Sequence, residues 1–153
     1  MSGCPGSKTI DFSEKTNQEG SETGKRPSQL RQWPIQMHLV SPMAPYFQGK
    51  DILLAADCVA FSLGDFHKDY LKGKSLAIAC PKLDSDQEVY VEKIKALIDD
   101  AKINTLSVMI MQVPCCFSLA QIAKDGAEKA SRKIPVKQIV VGLEGNILSE
   151  EWI

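Results

Sequence analysis

Apolar positions along this chain fall into short dense runs separated by longer stretches of mixed polarity, and the two textures carry two different periods. The runs at 51–56 (DILLAA), 75–80 (SLAIAC) and 105–113 (TLSVMIMQV) are nearly unbroken, as expected of strands covered on both faces in a parallel sheet. A further run, IQMHLV at 35–40, reads as the first strand, and QIVVGLEG after Pro135 reads as the last. Between the runs the spacing changes. Tyr90, Ile94, Leu97, Ile98 and Ala101 recur at helical intervals behind Ser85 and Glu88, which fit a capping box, so a helix is predicted from 85 to about 101. Leu119, Ile122, Ala123 and Ala127 predict a second helix over 117–131, and a short one is expected around 64–71 with Gly73 as its stop. PMAPYFQG, with its prolines, allows at most a helical turn. Five strands alternating with helices predict an α/β fold, a doubly wound, mostly parallel sheet flanked by helices with right-handed crossovers.

The first 29 residues have a different texture, polar and rich in Gly, Ser, Thr, Lys and Glu, with little to bury beyond Ile10 and Phe12. They are expected to form a flexible arm, and residues 30–153 a single α/β domain. At 153 residues the chain has the usual size of one domain, which needs no covalent staple to fold. The tail LSEEWI is short, with Trp152 free to dock or to anchor a partner.

Charge narrows the partners. With 18 basic against 19 acidic residues and a net charge of −1, neither nucleic acid nor a membrane surface is expected as a partner. No apolar stretch approaches the ~18 residues of a membrane span, and MSGCPGSKTIDFSEK has no apolar signal core, so a soluble cytoplasmic protein is expected. Five cysteines, an odd number, then point to free or metal-bound thiols in a reducing compartment rather than to a disulfide scaffold.

The cysteines carry the chemistry. Cys58 closes the second run, Cys80 the third, and the adjacent Cys115 and Cys116 follow the fourth. In a parallel sheet these ends lie on one edge, where open α/β sheets build their sites. Thiolate is the soft ligand that iron–sulfur clusters and zinc both take. Pro81 and Pro114 would fix the turns presenting Cys80 and Cys115, and the predicted helix start at 117 would favour thiolate at the pair. Neighbouring cysteines strain a shared metal, so Cys115 is expected to ligate and Cys116 to support it or to react. A further ligand could come from Cys4 or His38, or an iron could keep an open position. Four readings stand: an iron–sulfur protein, a structural or regulatory zinc site, a metal-free vicinal-thiol redox switch, and an interaction module whose cysteines only pack. His67 and Lys82 could attend the same edge, while Asp57 and Asp65 read as loop carboxylates or caps. There is no G-x-G-x-x-G after a strand, no G-x-x-x-x-G-K-[ST] and no G-x-S-x-G, which argues against nucleotide binding and serine hydrolysis.

The segments QLRQWPIQMHLVSPMAPYF, DILLAADCVAF, FHKDYLKGKSLAIACPKLD and VPCCF, in that order across residues 27–147, resemble the C-terminal domain of an uncharacterised family of 4Fe-4S ferredoxin-type iron–sulfur proteins of anaerobic microbes. CPGS at 4–7 is similar to the short motif at the junction of that family's halves. The upstream ferredoxin half, with its C-x2-C-x2-C-x3-C-P run, is missing, so its electron carriage does not carry over. The resemblance implies a cluster, 4Fe-4S by type, on Cys58, Cys80, Cys115 and Cys116, with Cys4 as an addition, and favours iron–sulfur over zinc. It implies electron transfer or redox chemistry with a partner protein or small molecule, and names neither substrate nor catalytic residue.

Overall fold

The computed structural model describes residues 24–153. Five strands, β1 (Asp51–Ala56), β2 (Ser75–Ala79), β3 (Thr105–Met111), β4 (Val136–Val141) and β5 (Ile147–Trp152), form one sheet in the order β2-β1-β3-β4-β5. The first four run parallel, and β5 returns antiparallel beside β4. The apolar runs explain which strands lie deepest, since Ile52 to Ala56 of β1 and Leu106 to Met111 of β3 are all buried. Three helices connect the strands: α1 (Val59–Ser62), α2 (Gln87–Asp99) and α3 (Phe117–Lys129). A single π-helical turn at His67–Leu71 follows α1.

Helices α2 and α3 pack closely, and the contact is set by a missing side chain. A Cβ on Gly126 would stand 2.6 Å from Ile94 Cγ2 and 2.7 Å from Ile94 Cβ, so only glycine lets the helices approach this far. At the far ends of these helices Asp99 accepts hydrogen bonds from the backbone N–H groups of Ser131 (2.9 and 3.0 Å) and Arg132 (3.0 Å). These amides, Arg132 first, then Ser131, hold the Asp99 carboxyl below its usual range. A depressed carboxylate contributes stability above its unfolded pKa, and that contribution disappears as pH falls through the folded one. Urea midpoints should therefore fall on acidification below about pH 4, and Asp99→Asn should show a shallower fall over the same window.

Several sequence expectations are corrected here. Residues 35–40 do not form a strand: Gln36 makes one parallel bridge to Ile78, flanked by hydrogen bonds Met37 N–H to Ile78 O and Ile78 N–H to Ile35 O. The chain then turns, because the Gln36 carbonyl takes the amides of Leu39 and Val40, and Lys93 Nζ donates to the carbonyls of Met37, His38 and Val40. The fifth strand comes instead from the tail, where Ile147–Trp152 pairs with β4. The capping box is not formed; Asp86 precedes α2 with φ of 53°, and no side chain caps the helix start. The expected helix around 64–71 is only the π turn at His67–Leu71, and α1 at Val59–Ser62, before it, was not expected. Residues 1–23 of the expected arm, with Cys4, lie outside the described residues. Residues 26–29 are tied down, Arg26 to Asp65 and the Gln29 amide to His67 Nδ1.

Candidate thiol site at the sheet edge

From β1 the chain moves outward to β2, then crosses back past β1 to β3. The loops leaving the carboxyl ends of β1 and β3 therefore diverge, and such a switch point is the usual crevice for a ligand in an open α/β sheet. Cys58 lies in the first of these loops, two residues beyond β1, and Cys115 and Cys116 lie in the second. Cys80 directly follows β2 next door. The expected convergence is thus present in the topology, and all four thiols are free.

Electrostatics shows which thiols meet. Cys58 has its pKa raised, first by desolvation and then by the neighbouring Cys80, Asp57 and Cys115. The Cys116 thiol is pushed up to about 11, chiefly by burial, against a smaller opposing hydrogen bond from the Met111 backbone, and Cys115 and Cys58 add to the rise. Cys58 thus lies within electrostatic reach of sulfurs from the other two strand ends, Cys80 and Cys115. The expectation that the helix start would favour thiolate at the pair does not hold for Cys116: it sits at the N-terminal boundary of α3 but packs against the core, and burial raises its pKa. In the reduced, metal-free protein, iodoacetamide should modify exposed Cys58 well before Cys116, and the Cys116 rate should still be climbing at pH 10. Mass spectrometry of timed aliquots reads the order directly, and faster labelling of Cys116 at pH 8 would contradict it.

The pair also differs from expectation in its backbone. Residues Pro114–Cys116 form a 3-10 turn, so the alternation of an extended strand does not apply to the pair. Beneath Cys80 lies a network that the sequence did not announce. Asp84 Oδ2 accepts the Cys80 amide at 3.0 Å, Gln36 Nε2 at 3.2 Å and the Tyr90 hydroxyl in a very short bond. This bolts the Cys80 loop to α2 and to the 35–37 bridge. Burial, then the Asp84 bond, holds the Tyr90 hydroxyl protonated, and Asp57 is raised by its own burial and by Asp84. His38 turns its Nε2 to the Ser85 carbonyl at 2.6 Å and its ring against Tyr90. His67 accepts the Gln29 amide, Asp65 pairs with Arg26, and Lys82 is solvent-exposed. Among the described residues no three His, Cys, Asp or Glu side chains are grouped closely enough to hold one metal ion.

Residues 44–153 match the model of the Rossmann-like domain family. The chain belongs to this family. An uncharacterised protein of Archaeoglobus fulgidus is 31% identical to it over 121 residues, covering 78% of this chain and 83% of the archaeal one. No solved structure matches. The Rossmann-like assignment agrees with the largely parallel sheet and its switch point, and the comparisons bring in no ferredoxin or iron–sulfur family. Among the described residues no helix of this Rossmann-like domain is long and apolar enough to cross a membrane.

Proposed function

We propose that the carboxyl edge of the sheet binds an iron–sulfur cluster through Cys58, Cys80 and Cys115, with Cys116 beside them, and that the protein serves electron transfer or redox chemistry with a protein or small-molecule partner. The observation that supports this reading is the placement of four free thiols beyond the carboxyl ends of β1, β2 and β3, beside a topological switch point, with Cys58 close enough to feel Cys80 and Cys115. Thiolate donors suit a cluster in kind.

Bound there, a cluster would supply one-electron chemistry. The chain's own contribution is to hold the donors: the Asp84 bond fixes the Cys80 loop, and Pro114 starts the turn that carries Cys115. Loading must displace protons from thiols that burial and mutual repulsion keep protonated, so it should tighten as pH rises. Asp57 and Asp84 add negative charge nearby, which favours the oxidised, less negative state of any centre held there. The two free thiols of Cys115 and Cys116 on one 3-10 turn favour a second reading, oxidation of two thiols to a disulfide with release of two electrons and two protons to a partner oxidant.

The test is iron and acid-labile sulfide analysis of protein purified without oxygen. Equimolar iron and sulfide with brown absorbance supports the cluster; zinc alone, or metal-free protein that refuses reconstitution with iron and sulfide, removes it.

A further inference from the structure

The two edges of the sheet are finished differently. On β2 the residues whose amides and carbonyls point away from β1 are Leu76 and Ile78, and both are satisfied. The Gln32 side chain accepts the Leu76 N–H on Oε1 and donates Nε2 to the Leu76 carbonyl, each at 2.7 Å. Ile78 gives its N–H to the Ile35 carbonyl and takes the Met37 N–H on its own carbonyl, each at 2.8 Å. At the other edge the sheet ends on β5, and among the described residues no strand pairs with its outer side. The Ile153 amide bonds the Val136 carbonyl at 2.9 Å, and Glu151 and Ser149 stand opposite Gln138 and Val140. By the alternation of an antiparallel ladder, Glu150 and Trp152 therefore direct their amides and carbonyls away from β4. Such an open row of backbone donors and acceptors is a template for another strand.

The sequence of the edge says which strand fits. Residues 147–153, ILSEEWI, have the same polarity read from either end, two apolar, three polar and two apolar, with Glu150 at the centre. Three of the four apolar residues are left open, Trp152 at 66%, Leu148 at 49% and Ile153 at 40% exposure. Laid antiparallel on its own copy about a two-fold axis at Glu150, the segment sets Leu148 opposite Trp152, Ile147 opposite Ile153 and Ser149 opposite Glu151, on both sides of the axis. Every apolar residue then meets another. The next registers that keep the outward-bonding residues opposed put Leu148 or Trp152 against Glu150 instead. Like charges meet only at the axis, where each Glu150 carboxylate is held by its own Lys137 at 3.3 Å. Because the β2 edge is closed, β5 of one copy has no free strand to join head to tail, and association through this edge stops at two.

We propose that two copies of this chain pair through β5, antiparallel and centred on Glu150, into one continuous sheet of ten strands, five from each copy. Backbone bonds at the axis fix the register, and the Leu148–Trp152 and Ile147–Ile153 pairs supply the apolar contact. The antiparallel pairing turns the parallel strands of the two halves in opposite directions, so the two thiol edges lie at opposite ends of the assembly. Each thiol site is complete within one copy, and the pairing stands or falls independently of what the thiols bind.

Sedimentation equilibrium of the full chain over a concentration series tests this, with reductant and chelator present so that neither disulfides nor metal join the copies. A species of twice the chain's mass that dissociates on dilution is expected. Leu148→Glu places a carboxylate against Trp152 of the second copy and close to that copy's Glu150, and should weaken association at least about tenfold. Circular dichroism checks that this variant, altered at an exposed position, is folded. Glu150→Gln removes the like charges at the axis and should tighten association about two- to fivefold. Hydrogen exchange at the Glu150 and Trp152 amides should slow as concentration rises, and should stay fast in Leu148→Glu. A monomer at every concentration, a dimer undiminished in folded Leu148→Glu, or a dimer weakened by Glu150→Gln would each overturn the proposal.

Discussion

Serine in place of Cys58 or Cys80 should leave anaerobically reconstituted protein with at least roughly tenfold less tightly held iron than the unaltered chain, a loss in the range seen when the support of a metal site is removed. Each residue is the sole thiol delivered by its strand end among those described, so no neighbour can substitute. The paired cysteines should behave unequally. Cys115→Ser should lose cluster absorbance to a similar degree, whereas Cys116→Ser, which removes a half-buried sulfur packed on the core, should keep most of it. Thermal transitions of the four metal-free variants, read beside the iron content, separate loss of a ligand from loss of the fold. Full retention of iron and sulfide in all four variants would refute the site, and loss confined to Cys116→Ser would reverse the roles within the pair.

Gly126→Ala should destabilise the protein by about 1–3 kcal/mol, although alanine is the better helix former by about 1 kcal/mol. The new methyl would meet Ile94 at Cγ2 and Cβ and lie 3.1 Å from the Val91 carbonyl. A flexible side-chain tip could move aside; a Cβ and a backbone oxygen cannot. Ile94 is buried within α2, so relief requires the two helices to separate and expose core between them. The urea midpoint measures the effect, which should keep this sign at any pH where both forms are folded. An exposed control such as Gly64→Ala, where an added Cβ meets nothing within 4 Å, should move the midpoint far less.

What the sequence made legible was whatever one element announces by itself. The unbroken runs at β1 and β3 and the helical spacing of Tyr90, Ile94, Leu97 and Ile98 survive in the structure almost residue for residue. Gly126, inside the second helical pattern, was not read from the sequence, and its close approach to Ile94 emerges only from the packing of α2 on α3. The run at 35–40 misled because its apolar residues are buried without strand geometry: Met37 and Val40 reach the core from a turn whose carbonyls are satisfied by Lys93, more than fifty residues away. The strand at 147–152 was hidden by Glu150 and Glu151, since an edge strand exposed on one face needs few apolar residues. At the candidate site the sequence placed the thiols but not Asp84, whose partners Gln36, Cys80 and Tyr90 come from three segments.

The parallel pairing of β1 with both β2 and β3 also governs the order of events when the chain folds. Each of these pairings closes only after a crossover has formed, so the contacts are distant in sequence and the loop-closure entropy comes before the reward. The thiols share this delay, because no hairpin or single helix brings two of the three strand ends together. Metal or oxidant met by the nascent chain would find separated sulfurs and could bridge them wrongly, whereas the docked sheet offers them together. Under the proposed cluster, loading would therefore follow docking of the sheet rather than precede it.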